Sequence, residues 1–384
     1  MNKIVDLFCG CGGMSLGFQN AGFNIVGAYE LWESAAKCYE GNFNHPLFRE
    51  DLSNVSNAVD SIKKLSPDII IGGPPCQDFS HAGKRIEGGR ASLTEAFAEI
   101  IKNISPSYFV MENVDRAQKS NAYAKARDIF KSAGYGLTEI VLDTSRCGIP
   151  QKRKRFFCIG AMNQPDGFLL SRLTDKISDH ETTLRDYFGD GLDFEYYYRH
   201  PRNYSRRAIF SIDEPAPTMR GVNRPVPKGY PGNPNDACPL NDSIRALTTI
   251  ERSLIQTFPP EYKWIGNKTD MEQMIGNAVP VKLAEIVVST LKEFIDGCEI
   301  PICVDNGKLI AWLIDTHQYT ERSAKDVVSR IRRANSIVHI SDIPDSFYMY
   351  QLESSPQFKS ISTSVRSQVK KAVSLFMAYQ AAAR

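Results

Sequence analysis

Residues 6–13 read Asp6-Leu7-Phe8-Cys9-Gly10-Cys11-Gly12-Gly13 and follow directly on the apolar pair Ile4 and Val5. An apolar run of strand length that stops at glycines and gives way to an amphipathic segment reads as strand, turn and helix in succession. Glycines at such a turn let the backbone approach a ligand closely, as in nucleotide-binding sheets. Glu30 ends the next apolar run, 20 residues beyond Gly10. An acid at that place accepts from ribose hydroxyls in sheets of this kind. A nicotinamide enzyme fits these two features as well as any other nucleotide-binding enzyme does.

Outward from this stretch, short apolar runs alternate with amphipathic segments as far as residue 160. Runs 4–8, 24–29, 68–72, 108–111, 136–142 and 155–159 read as strands, and 53–65 and 93–103 as helices. That alternation predicts an α/β fold with a doubly wound, mostly parallel sheet, whose ligands sit at the C-terminal strand ends. From 161 to 243 Pro, Gly, Arg and Tyr become frequent and helical periodicity fades, which predicts a second, smaller and irregular domain. Helical patterning returns over 243–258, with Asp242 and Ser243 as caps, and over 281–294. These helices, within 244–300, are expected to rejoin the first domain. Residues 301–384 read as a helical appendage, apolar at 324, 327, 328 and 331 in one stretch, with a second stretch over 365–379.

The chain has 384 residues, enough for about two domains at roughly 150 residues each. Its 42% hydrophobic and 23% charged content is an ordinary globular mix and excludes a disordered or fibrous chain. A formal net charge of +2 argues neither for nor against nucleic acid, so only local clustering informs. The N-terminus lacks the pattern of a signal peptide, and no apolar run reaches the ~18 residues of a membrane span. Nine cysteines without a Cys-x-x-Cys pair or a Cys/His grouping predict free thiols, no metal site and a cytoplasmic setting.

Three further stretches carry chemistry. Gly72-Gly73-Pro74-Pro75-Cys76-Gln77 follows a predicted strand, and its prolines fix φ and hold Cys76 at the strand end. Such a thiol suits a nucleophile, and the glycine-containing loop after it suits a lid. Glu112, in Met111-Glu112-Asn113-Val114, ends another strand, where a carboxylate can protonate or hydrogen-bond a substrate ring. Gln151-Lys152-Arg153-Lys154-Arg155 leads into the strand over 155–159, with residues 151, 153 and 155 on one side of an extended chain. A solvated basic edge or a grip on phosphate or a carbonyl oxygen would both fit that pattern.

With these motifs in this order, and Gly276-Asn277-Ala278-Val279-Pro280 late in the chain, residues 3 to about 295 resemble the cytosine-C5 DNA methyltransferases. The resemblance implies S-adenosylmethionine as methyl donor. It assigns Cys76 as the nucleophile that adds to C6 of a flipped cytosine and Glu112 as the residue that holds the ring at N3 and the exocyclic amine. Arg155, with Arg153, matches the arginine pair that fixes the base and the site. Phe8, Gly10 and Gly12 match the donor-binding turn, Glu30 the ribose ligand and Leu31 the adenine contact. Asp51 and Leu52 match the adenine edge, Pro75 and Leu93 further pocket positions, and Asn277, Ala278 and Val279 the segment that completes the pocket.

Residues 161–243 then occupy the place of a target-recognition domain. Between Tyr196 and Tyr230, Arg199, Arg202, Arg206, Arg207, Arg220, Arg224 and Lys228 face only Asp213 and Glu214, a balance that suits phosphate contact. Pro217-Thr218-Met219-Arg220-Gly221 resembles the Thr-containing element near the flipped base, and Arg220 or Arg224 is expected to read guanine bidentately. The implied partners are double-stranded DNA and, functionally, a restriction endonuclease of the same specificity, with no membrane and a monomer as the working form. Transfer RNA methylation is the alternative within the same chemistry. The basic recognition region, and the absence of the Cys-Phe-Thr element of that branch, favour DNA. The basic residues of 301–384 suit either a solvated surface or an added contact with DNA backbone or a partner.

Overall fold

The computed structural model describes residues 3–75, 92–203, 205–297, 306–337 and 346–382. Strands β1 (Lys3–Leu7), β2 (Asn24–Tyr29), β3 (Leu47–Phe48), β4 (Ile69–Gly72), β5 (Tyr108–Val114), β6 (Tyr135–Asp143) and, after the short β7 (Gln151–Lys152), β8 (Lys154–Met162) supply the main sheet. Its seven strands run in the order β3-β2-β1-β4-β5-β8-β6. The pairs among β1 to β5 are parallel, and β8 runs antiparallel to both β5 and β6. The chain reverses its direction across the sheet between β1 and β4, and the C-terminal ends of these strands diverge there into a crevice.

Helices α1 (Gly13–Asn20), α2 (Glu33–Glu40), α3 (Val55–Lys63), α4 (Leu93–Ile104) and α5 (Asn121–Ser132) make the crossovers. Ser92 caps α4, its hydroxyl accepting from the Glu95 amide at 3.2 Å, and Ser120 caps α5 in the same way. Strand β4 is apolar on both faces and β1 carries Ile4, Val5 and Leu7 beside the buried Asp6, and Val5, Leu7, Ile70, Phe97, Phe109 and Phe130 are fully buried between the sheet and α4 and α5. Each such side chain contributes roughly 1.5–3 kcal/mol by leaving water.

The irregular region holds α6 (Leu170–Thr174), α7 (Leu184–Phe188), the hairpin of β9 (Tyr196–Tyr198) and β10 (Ile209–Ser211), and β11 (Ala216–Pro217). Strand β11 pairs in parallel with β7, which ties the region to the approach to β8. Its small cores draw on Tyr197, Phe210, Ile212 and Met219, and reach Leu247 and Ile255 further along the chain. Helix α8 (Thr249–Ile255) is shorter than the expected 243–258. Asn241 turns the chain by accepting from the Ser243 amide at 3.0 Å, and Arg245 and Ala246 pair with Tyr198 instead of coiling. Thr248 and Glu251 form the actual cap, a reciprocal capping box.

Helices α9 (Lys268–Asn277) and α10 (Val281–Gly297) follow. The long apolar helix α10 places Val281, Leu283, Ala284, Val287, Val288 and Leu291 in the interior, so its hydrophobicity belongs to the core. Met1–Leu291 form one compact unit and Lys292–Arg384 a second. In the second, α11 (Asn306–His317), α12 (Glu321–Ile337), α13 (Ser346–Ser354), α14 (Pro356–Lys359) and α15 (Thr363–Ala382) bury Leu313, Val327, Val328, Ile331, Val373 and Phe376 together. The apolar positions 324, 327, 328 and 331 of α12 all face that core.

Candidate active site and recognition segment

At the end of β1 the chain cannot continue as a strand. Phe8 and Gly10 both take positive φ, 59° and 57°, and Gly12 follows at 91°. A left-handed phenylalanine is costly and persists where its surroundings fix it. The turn closes by a bond from the Gly12 amide to the Cys9 carbonyl at 2.9 Å. Glu30, at the end of β2, holds this turn in place. Its Oε2 accepts from the Gly10 amide at 2.8 Å and its Oε1 from the Trp32 amide at 2.7 Å.

Two adjoining cavities open here. The larger, about 550 Å³, is lined on one side by Asp6, Phe8, Gly10 and Glu30, and on another by Asn277, Ala278 and Val279. Pro75, Glu112 and Arg155 line it as well, so donor-binding and catalytic positions share one space. The smaller, about 360 Å³, is lined by Leu31, Asp51, Leu52 and Leu93. Phe8, Glu30, Trp32 and Pro75 border both cavities. Leu31 is 61% exposed at the rim.

Gly12 borders neither cavity among the described residues. A Cβ there would run into the ring of Phe43, so a glycine is required by the turn and its packing. Cys76 and the loop predicted as a lid through residue 91 lie outside the described residues. The backbone leading to Cys76 is described, and Asn113 Nδ2 donates to the Pro74 carbonyl at 2.9 Å, tying the end of β5 to that segment.

At the catalytic end, Arg155 Nε stands 2.7 Å from Glu112 Oε1. Burial pushes the Glu112 carboxyl up, against the opposing pull of Arg155 and then Arg153. Residues 151, 153 and 155 do share the inward side, with Lys152 and Lys154 outward, but their tasks differ. Arg153, 1% exposed, donates to the carbonyls of Met219 at 2.9 Å, Gly276 at 2.8 Å and Ala278 at 3.0 Å. It therefore positions backbone beside the cavity, which agrees with the architectural half of the expectation for the arginine pair.

Asp6, Trp32 and Asn113 were not singled out from the sequence. Asp6 is buried in the cavity wall and accepts from Ser15 Oγ at 2.6 Å. Burial pushes its carboxyl up to about 7, with Ser15 opposing and the charge of Glu30 adding. Trp32 reads by itself as an anchor, and only its place two residues after Glu30 signals a wall position. Cys9 and Cys11 line the cavity as buried thiols, pushed up by burial and therefore held protonated and unreactive.

In the recognition region, Thr218 Oγ1 donates to the Lys152 carbonyl at 2.8 Å, and the Arg220 guanidinium donates to the His200 carbonyl. Both are engaged by the protein itself. Arg207 pairs with Glu214 and lies over the Phe210 ring. Arg202, Arg206, Arg224 and Lys228 are exposed.

Two adjoining cavities at the switch point of an α/β sheet, with a buried acid and arginine lining the larger, fit an enzyme that binds a nucleotide-like ligand. The sequence pattern of C-5 cytosine-specific DNA methylases matches residues 2–293. Type II methyltransferase M.HindV of Haemophilus influenzae is 57% identical over 294 residues, covering 76% of this chain and 97% of that one. Type II methyltransferase M.HgiDI of Herpetosiphon aurantiacus is 52% identical, over 77% and 95%. Among solved structures, the S. pombe Dnmt2 methyltransferase shares the fold with a TM-score of 0.58 at 18% identity, over 77% of this chain and 99% of that one. The chain belongs to the C-5 cytosine-specific DNA methylase family and is a DNA cytosine-C5 methyltransferase. The family match ends at residue 293, so nearly all of the second unit lies outside it.

Proposed function

We propose that the enzyme transfers a methyl group from S-adenosylmethionine to C5 of a cytosine turned out of double-stranded DNA, as the cytoplasmic modification partner of a restriction endonuclease of the same specificity. The observation that carries this reading is the opening of the Glu112–Arg155 pair into the same cavity as the Glu30-held turn.

The cavity walls fit the donor. Glu30, with each carboxylate oxygen holding one backbone amide, keeps lone pairs for ribose hydroxyls. Leu31 and Leu52 offer apolar surface to a flat base, Asp51 offers a carboxylate to its edge, and Asp6 offers a carboxylate to a cation. When bound, S-adenosylmethionine supplies a methyl group on a positively charged sulfur.

C5 of cytosine is a poor nucleophile until addition at C6 gives the ring enamine character, and covalent catalysis divides that hard step into easier ones. Cys76 is assigned the addition from its sequence context alone. Glu112, whose burial favours the protonated form, shares a proton with N3 as negative charge develops on the ring. Arg155 fixes the orientation of that carboxyl. Loss of the C5 proton to a base then expels the thiolate and restores the ring. The target leaves the stack because its faces are otherwise covered.

DNA containing 5-fluorocytosine tests the covalent step, since fluorine at C5 cannot leave as a proton. The wild-type chain is expected to give a protein–DNA complex that survives denaturation, and Cys76→Ser to give none. A complex with Cys76→Ser, or none with the wild type, contradicts the assignment.

A further inference from the structure

Three successive carbonyls of the recognition segment, those of Thr218, Met219 and Arg220, each accept from a different arginine. Arg199 donates to the first at 2.7 Å, Arg153 to the second at 2.9 Å and Arg252 to the third. The Met219 amide donates to Gln151 Oε1 at 2.9 Å, and Gln151 Nε2 donates to Gln256 Oε1 at 2.7 Å. Gln256 in turn donates to the Ile275 carbonyl at 2.5 Å. Gln151 and Gln256 are fully buried.

The far end of this network is the wall of the larger cavity. Arg153 reaches the Gly276 and Ala278 carbonyls with the same guanidinium that holds Met219. Helix α9 makes a second connection. Glu272, paired with Arg252 in the interior, accepts from Asn223 Nδ2 at 2.9 Å, next to the exposed Arg224. Gly276 meets the backbone of Gly221 so closely that a Cβ would collide with its amide nitrogen. One turn of chain thus touches the recognition segment on one side and the cavity on the other.

We propose that Gln151, Arg153, Gln256 and Glu272 are positioning residues that join the recognition segment 218–223 to the cavity segment 276–279, so that target DNA and methyl donor bind cooperatively. The proposal rests on the donor and DNA reading given above. Each buried donor or acceptor left without its partner costs about 1–3 kcal/mol, so displacing one segment alone would strand those of the bonds named above. DNA that fixes the recognition segment therefore also fixes the donor wall, and by linkage the donor tightens DNA by the same factor.

Calorimetric titration of the full chain with S-adenosylhomocysteine, with and without a duplex carrying the methylated site, tests this. The wild type is expected to bind the probe roughly tenfold more tightly with DNA, within the usual range of coupling. Asn223→Ala removes the link to Glu272 away from the cavity, and is expected to keep the affinity measured without DNA while losing most of the gain. Arg153→Lys is expected to weaken the probe in both conditions and to bring the ratio towards one. Should Arg153→Lys not fold, Asn223→Ala decides. A full gain in Asn223→Ala, or no gain in the wild type, overturns the coupling and leaves the donor assignment standing. No probe binding in either condition overturns both.

Discussion

Arg155 reaches diagonally across the sheet to Glu112, Nε to Oε1 at 2.7 Å, although the register sets Arg155 opposite Val114 and Glu112 opposite Phe157. Both side chains are about nine-tenths buried. Arg155 is the main force opposing the rise that burial imposes on Glu112. In Arg155→Met the carboxyl should rise further, because the main opposing charge is gone. Breaking a buried pair costs about 3–5 kcal/mol when the remaining charge stays ionised. The loss is therefore expected to be larger at pH 8 than at pH 5, because falling pH favours the neutral carboxyl. Thermal unfolding of both proteins at the two pH values checks this, and turnover should fall by about 10²–10³-fold with the lost orientation.

Asp6 gives donor binding its pH dependence. Its carboxyl is raised from 3.8 to about 7, so it ionises between pH 6 and 8. A cationic donor binds the ionised form, and affinity should climb over that interval by up to about tenfold, one unit of pKa shift being worth that factor. The donor-free chain should behave in the opposite sense. A carboxyl raised in the folded state contributes stability that is complete below 3.8 and is lost as pH passes through about 7. Asp6→Asn should flatten both curves, as read by donor titration and melting temperature at pH 6, 7 and 8.

The two left-handed glycines of the first turn should separate binding from folding. Alanine at either pays roughly 1–2 kcal/mol for the left-handed backbone. At Gly12 it also collides with Phe43, which adds an overpacking cost of about 1–3 kcal/mol. At Gly10 a Cβ meets nothing within 4 Å and faces the cavity. Gly12→Ala should thus unfold at lower denaturant, whereas Gly10→Ala should mainly weaken donor binding.

On the recognition side, exposure decides the roles. Arg202→Ala and Arg224→Ala should each lower the slope of log affinity against log salt by about one, as expected for a lost phosphate contact. If Arg224 also reads a guanine, its loss relaxes preference at one position by about 1–3 kcal/mol. Arg220→Ala should lower stability and leave the salt slope unchanged, because its guanidinium holds the His200 carbonyl. Filter binding over a salt series and urea unfolding separate the two.

The alternation of apolar runs and the glycine turn made the sheet legible, and β2 runs over the expected residues 24–29. The antiparallel insertion of β8 between β5 and β6 was not, since strand direction depends on the connection and not on the run. The capping of α8 escaped because Asn241 and Ser243 form a turn with the same residue types that cap helices. At the site, Glu30, Glu112 and Arg155 were readable from motif and strand end. The carbonyls that Arg153 and Arg220 hold were not legible, because an arginine that holds carbonyls and one that holds a ligand look alike in sequence. Asp6 stood in the quoted stretch, but its cavity position and raised carboxyl follow from three-dimensional burial.

The most direct measurement is bisulfite sequencing of unmethylated genomic DNA after incubation with the pure chain and S-adenosylmethionine. Complete conversion of one cytosine in one short motif to 5-methylcytosine is the predicted result. Unmodified DNA, with transfer RNA methylated under the same conditions, would contradict the account and move the substrate to RNA.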